Sequence, residues 1–186
     1  MSERILSVKP VHKGWLDLHM VQVRLDDGET AEREVIDHPS GAVVLLFNPE
    51  RRSALLITEL RPPVEYAGER RFVEIVGGKL DEDDPEACAR REAEEEVGFK
   101  IGAMEHVGRL WMTPATSTER VHFFLGEVND EDRVGEGGGL EEEQEEVRLR
   151  ELPLAELWRR LEQGELQDAK TFLLLQALRL RRPELF

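Results

Sequence analysis

At 186 residues with one cysteine and a formal net charge of −15, the chain is long enough for a proper core but has no second thiol for an intrachain disulfide. That acidity disfavours nucleic acid as a partner, because phosphate binding relies on Lys and Arg neutralising the backbone. The opening MSERILSVKP has no apolar run of signal-peptide length, and no later stretch approaches a membrane span. The expectation is therefore a cytoplasmic protein without a membrane partner.

Residues 1–40 read as an N-terminal β extension and residues 41–186 as the main domain. Trp15 to Leu25 mixes β-formers with polar residues, Asp27-Gly28 is a turn signal, and Glu32 to Asp37 returns as a strand. Such a hairpin is marginal alone, so it must pack on something. Ala42–Phe47 and Ala54–Thr58 are apolar runs separated by Asn48-Pro49-Glu50, which predicts two buried strands and a turn. Arg71–Val76 reads as a strand delivering the chain into Gly77. Val107–Trp111 and Val121–Val128 read as further strands, with Thr113-Pro114 breaking between them. Leu154, Leu157, Trp158 and Leu161 have the spacing of a core-facing helix closing near Gly164. Asp168 caps a last helix whose TFLLLQALRL is apolar almost all round, which predicts a well-buried element. Strands with flanking helices in irregular order indicate an α/β sandwich.

Gly77 to Phe99, GGKLDEDDPEACARREAEEEVGF, carries the chemistry. Asp84 is the predicted N-cap, Pro85 suits the first helical position, and Gly98 ends the helix. At about 100° per residue, Ala89, Ala93 and Val97 form an apolar stripe with Glu92 and Glu96 beside it. Glu95 and Arg91 fall nearer the opposite side. Carboxylates bordering a buried stripe need a partner, and hard Mg²⁺ or Mn²⁺ is one that carboxylate oxygens hold. Periodicity leaves two readings open, a solvated acidic face and a metal site with Glu92 and Glu96 as ligands. Arg91 reads as a brace for a neighbouring carboxylate, and Glu95 as a further ligand or the partner of Arg91.

The run Arg91-Glu92-Ala93-Glu94-Glu95-Glu96-Val97-Gly98-Phe99 resembles the second half of the Nudix box, matching each of its fixed positions. The first half departs from it. An ungapped count from Gly77 puts Asp83 in the usual Glu place, whereas Gly78 as the opening residue makes the loop one residue shorter. The shorter loop, with GKLDEDDPEACARRE, resembles the GDP-mannose pyrophosphatase branch of the nucleoside diphosphate sugar hydrolases, as do WMTPATSTERVHFFLGEV, GGGLEEEQEEV and GELQDAKTFLLL. The resemblance implies a Nudix-type α/β/α sandwich with a mixed sheet, and a homodimer formed through the N-terminal strands.

It also implies roles residue by residue. The Gly77 carbonyl and Glu143 join Glu92 and Glu96 at the metal, and Glu142 contacts substrate. One of Glu142 and Glu143 would take a proton from the attacking water. The run Leu140–Val147 would then be a lid, which Gly135, Gly137, Gly138 and Gly139 let close. The residues alone read instead as a flexible, solvated acidic loop. Arg61 matches a phosphate contact; Arg33 and Glu34 match a pair near base and phosphates. Trp15 stands where an aromatic residue stacks on the base, with packing in a subunit interface as the alternative. Gly78, Lys79, Glu119 and Lys170 match substrate contacts.

Other chemistries fail. Gly77-Gly78-Lys79 superficially resembles a P-loop, but Leu80 replaces its Ser/Thr. No histidines have HExxH spacing and no G-x-S-x-G elbow exists. The expectation is Mg²⁺-dependent cleavage (Mn²⁺ as a substitute) of the diphosphate of a GDP-mannose-like nucleotide sugar. ADP-ribose and UDP-glucose are the near alternatives. A catalytically silent nucleotide-binding regulator is the non-enzymatic one, against which the intact box carboxylates stand.

Overall fold

The computed structural model describes residues 3–80, 84–140 and 146–186. Its centre is a strand that has no polar face. GAVVLLFN forms β4 (Gly41–Asn48), in which residues 42–48 are all buried. Alternate side chains point to opposite faces of a strand, so a run without alternation must be covered on both sides. Ala42, Val44 and Leu46 pack beneath α2 (Pro85–Glu92), with Cys88, Ala89, Ala93 and Val97. Val43, Leu45 and Phe47 face the other way, onto Leu154 and Leu157 of α3 (Leu154–Glu162) and Leu174, Leu175 and Leu178 of α4 (Ala169–Arg181). The result is an α/β/α sandwich.

Around β4 the sheet is mixed. β8 (Arg120–Glu127) runs parallel along one side of β4, from Gly41↔Val121 to Phe47↔Glu127, and β7 (Met104–Trp111) lies outside it. The other side of β4 is shared. β5 (Ser53–Thr58) pairs with Leu46 to Asn48, and β6 (Val76–Lys79) pairs with Gly41 to Val44. β9 (Arg148–Pro153) closes the edge beyond β5. β6 thus lies beside the Gly41 end of β4, next to the start of β8. The candidate site occupies that end of the sheet.

Several expectations are corrected. The strand forecast at Arg71–Val76 begins only at Val76 and runs through Gly77 and Gly78 to Lys79. Before it, Glu74 makes a single bridge with Ile57. The N-terminal hairpin is a three-stranded antiparallel sheet, because Ile5–His12 (β1) pairs with Asp17–Arg24 (β2), which pairs with Thr30–Asp37 (β3). Gly28 does turn β2 into β3, at φ +88°. The last helix buries one side only: Leu180 is 83% exposed and Phe172 36%. The short helix α1 (Pro62–Tyr66) and β9 were not foreseen. No helix among the described residues is long and apolar enough to cross a membrane.

Candidate active site at the acidic helix

Asp84 caps α2 as its sequence predicts, accepting hydrogen bonds from the amides of Glu86 and Ala87, with Pro85 first in the helix. The last turn differs from the wheel. Ala93–Val97 is a π-turn, a widening often found at functional sites, and Gly98 ends it in the left-handed conformation at φ +75°. The apolar stripe survives: Ala89, Ala93 and Val97 are fully buried. Glu96 is 3% exposed, Glu92 is half-buried, and Glu94 faces solvent.

β6 explains the glycine pair. A Cβ on Gly77 would lie 2.5 Å from Val43 Cγ1 and 2.7 Å from the Ala42 carbonyl oxygen. On Gly78 it would strike the Glu92 carboxylate, 2.0 Å from Oε1. Gly77 thus lets β6 lie close against β4, and Gly78 leaves room for the Glu92 carboxylate at the strand backbone. Glu96 Oε2 accepts a hydrogen bond from the Gly77 amide at 3.1 Å. Arg91 is the brace its position predicts, at 3.0 Å from Glu92 Oε1 and 2.9 Å from Glu95 Oε2. Burial lowers the pKa of its guanidinium, but Glu92 and Glu95 outweigh that and raise it, so the brace stays charged. Glu95 is thus the partner of Arg91 and does not line the cavity.

That cavity is about 730 Å³, the size of a nucleotide-sized pocket. It brings together Trp15, Arg61, Gly77, Gly78, Lys79, Arg91, Glu92, Glu96, Glu119 and Lys170, which the sequence had singled out. It does not include Arg33 or Glu34, which are exposed on β3. Glu142, Glu143 and Asp83 lie outside the described residues. Trp15 is 79% exposed at the cavity rim, its ring edge-on to His38.

Three carboxylates hold the cations in place: Glu74 and Glu59, which sequence reasoning passed over, and Asp168, which it read only as a helix cap. Glu74, 3% exposed, accepts from Arg61 Nε on both its oxygens, at 3.0 and 3.2 Å. Glu59 lies 3.0 Å from Arg61 Nη2. Burial lowers the Arg61 pKa, but these partners, Glu74 foremost, raise it on balance. Asp168 accepts from Lys170 Nζ at 2.7 Å and also from the amide and hydroxyl of Thr171. The Thr171 hydroxyl in turn accepts from the Ile75 amide at 3.0 Å, tying the start of α4 to the chain entering β6. Burial pushes the Asp168 carboxyl up; Lys170 and Thr171 pull it further down, leaving it below its ordinary value. Glu74 had a readable signal, since an acid inside the apolar run VEIV requires a buried partner.

The donor set suits a hard divalent ion. Glu92 and Glu96 offer carboxylate oxygens to the cavity, whereas His38 lies at its rim, edge-on to Trp15 and with Nδ1 2.6 Å from the Pro39 carbonyl oxygen. Among the described residues no three acidic, histidine or cysteine side chains form a complete metal cage. A Mg²⁺ site needs no such cage, because one or two carboxylates with waters and substrate phosphates suffice.

A glycine-paired strand facing an acidic helix at the open end of an α/β/α sandwich defines a class of hydrolase. The NUDIX domain description matches residues 37–175, and the chain belongs to the Nudix family, as a Nudix hydrolase. It is 43% identical over 159 residues to the GDP-mannose pyrophosphatase of Cronobacter sakazakii, covering 83% of this chain and 82% of the relative. To the GDP-mannose pyrophosphatase of Shigella flexneri serotype 5b it is 36% identical over 188 residues, 97% of each. A crystal structure of an ADP compounds hydrolase superposes with a TM-score of 0.75 over 96% of this chain and 95% of that one. At 20% identity this likeness speaks for the fold alone.

Proposed function

We propose that the protein hydrolyses the diphosphate of a GDP-mannose-like nucleoside diphosphate sugar, releasing a nucleoside monophosphate and a sugar 1-phosphate. The observation that carries this reading is the floor of the cavity, where Glu92 and Glu96 lie against Gly77 and Gly78 with Arg61, Lys79 and Lys170 around them. The relatives named GDP-mannose pyrophosphatase support the substrate class. Charge balance supports a cation. The cavity holds the carboxylates of Glu59, Glu74, Glu92, Glu96, Glu119 and Asp168 against the positive charges of Arg61, Lys79, Arg91 and Lys170. An anionic diphosphate entering this excess of acid needs a divalent ion beside it, Mg²⁺ by preference and Mn²⁺ as substitute.

Glu92 and Glu96 are the ligands we assign, with the Gly77 carbonyl and Glu143 completing the set. When bound, such an ion activates water and spreads the negative charge of the diphosphate. The side chains do the rest. Arg61, braced by Glu74 and Glu59, faces the diphosphate with a fixed guanidinium and stabilises charge developing there. Lys79, Lys170 and Glu119 bind substrate, Trp15 stacks on the base, and Glu142 or Glu143 accepts the proton of the attacking water. Arg33 and Glu34 are exposed on β3 and do not line this cavity, which favours a homodimer in which the N-terminal strands carry them to the other subunit. The lone Cys88, buried on α2, fits a cytoplasmic setting.

The test is turnover of GDP-mannose, ADP-ribose and UDP-glucose with Mg²⁺, scored by the phosphate esters released. GDP-mannose should give GMP and mannose 1-phosphate with the highest kcat/KM. Glu96→Gln should lower kcat at least about 100-fold without loss of fold. No turnover of any of the three, or a fully active Glu96→Gln, rejects the proposal.

A further inference from the structure

The last carbonyl groups of a helix have no partners inside it. Here a neighbouring loop supplies them. The Gly138 amide donates to the Glu96 carbonyl at 2.9 Å, and the Gly139 amide to the Glu95 carbonyl at 3.1 Å. One step further, the Val134 and Gly135 amides donate to the Gly98 carbonyl at 2.8 and 3.1 Å. The glycine run, legible in the sequence as a hinge, is laid against the π-turn backbone over its whole length.

The approach leaves no room for side chains. A Cβ on Gly137 would sit 2.5 Å from the Glu96 carbonyl oxygen and 2.7 Å from the Val97 backbone. On Gly98 it would sit 2.3 Å from the Gly135 carbonyl oxygen. Gly137 also has φ +69°, a conformation that suits glycine. The backbone being gripped belongs to Glu96, whose carboxylate is buried on the Gly77 amide 3.1 Å away. Glu96 is therefore fixed at two points, its carboxylate by β6 and its carbonyl by the glycine run.

We propose that this glycine run is a backbone clasp that sets the metal site, with Gly137 as a positioning residue for Glu96. The inference rests on Glu92 and Glu96 being metal ligands, as argued above. Its force comes from the geometry of the ion. Mg²⁺ and Mn²⁺ sites tolerate only small errors in ligand distance, and Mg²⁺ in particular demands oxygens at about 2.0–2.1 Å. A methyl group at Gly137 must push away either the clasp or the Glu96–Val97 peptide. Moving the peptide shifts a ligand; moving the clasp strips the Glu95 and Glu96 carbonyls of their partners and loosens the turn that aims it.

The experiment is a titration of the full-length chain with Mn²⁺ and no substrate, reading free Mn²⁺ by electron paramagnetic resonance. Wild type, Gly137→Ala and Gly164→Ala are compared, with melting temperatures alongside. Gly164 has φ +72° and nothing within 4 Å of an added Cβ, so it carries the same backbone strain without the collision. The clasp predicts that Gly137→Ala binds Mn²⁺ about tenfold more weakly, the usual effect of disturbing what orients a ligand. Gly164→Ala should match wild type. A folded Gly137→Ala with wild-type affinity overturns the clasp, and a wild type that binds no Mn²⁺ overturns the ligand assignment beneath it. If Gly137→Ala does not fold, wild-type hydrogen exchange decides. Coupling is reciprocal, so Mn²⁺ must slow exchange at the Gly138 and Gly139 amides, and unchanged exchange there contradicts the proposal.

Discussion

Arg61 reaches the cavity with its Nε already committed to Glu74 and one Nη to Glu59. A free arginine side chain has many rotamers to lose on contacting a phosphate; a braced one has lost them in folding. Glu74 thus acts through Arg61, as a positioning residue. Glu74→Gln keeps the shape but turns one acceptor into an amide donor that faces Nε–H. We expect kcat/KM for the nucleotide sugar to fall about tenfold, roughly 1.4 kcal/mol, with a smaller change in melting temperature. An unchanged kcat/KM would mean that Glu59 alone orients Arg61. The residues found from sequence, Arg91, Glu92 and Glu96, share one helix, where fixed spacing fixes proximity. Glu59, Glu74 and Asp168 come from three separate segments, and no spacing rule connects them.

At the scale of elements, Asp168 serves α4 twice, as N-cap through the Thr171 amide and as the partner of Lys170. Its carboxyl is held below the ordinary value of 3.8 despite burial. A depressed folded pKa contributes stability that is complete above the unfolded value and is lost as pH falls through the folded one. This contribution is therefore flat through neutral pH and begins to fall below about pH 4, as pH drops towards the lowered folded value. Asp168→Asn keeps a capping oxygen but loses the charge paired with Lys170; it should lower stability at pH 7 by about 1 kcal/mol and soften the acid limb of unfolding. Denaturant midpoints at pH 7 and pH 3 check this; the same drop at both would remove the carboxylate charge from the account.

The same scale shows what made some elements legible. β4 and β5 declared themselves by unbroken apolar runs, and α2 by cap, stripe and terminal glycine. The stripe spacing of four residues held even where the helix widened, because Ala93 and Val97 still meet the core beneath β4. α4 was misjudged because composition counts leucines without asking which side they occupy, and Leu180 points to solvent. β6 was misplaced because glycine weakens strand propensity, whereas Gly77 is there for close packing on β4 and Gly78 to admit Glu92. β1 has almost every residue exposed, so no alternation announced it.

For the whole molecule, that exposure carries the argument. The N-terminal sheet meets the segment between β7 and β8, where Ile36 bonds to Thr116 and Thr118 and the Thr118 hydroxyl receives the His38 amide. β1 exposes Leu6, Val8 and Val11, apolar surface that a second copy would cover. Removal of residues 1–38 also removes Trp15, Arg33 and Glu34. The dimer reading predicts a monomer in sedimentation velocity and a KM for the nucleotide sugar raised about tenfold, the loss of one stacking contact. A truncated chain that still dimerises, or a monomer with full activity, contradicts it.

All of this depends on a divalent ion lying between the acidic helix and the glycine pair. Anomalous diffraction at the manganese edge, from crystals holding Mn²⁺ and a non-hydrolysable nucleotide sugar, locates such an ion directly. The account predicts a peak in contact with the carboxylates of Glu92 and Glu96 and beside the diphosphate. A diphosphate bound in the cavity with no peak at those carboxylates would contradict it.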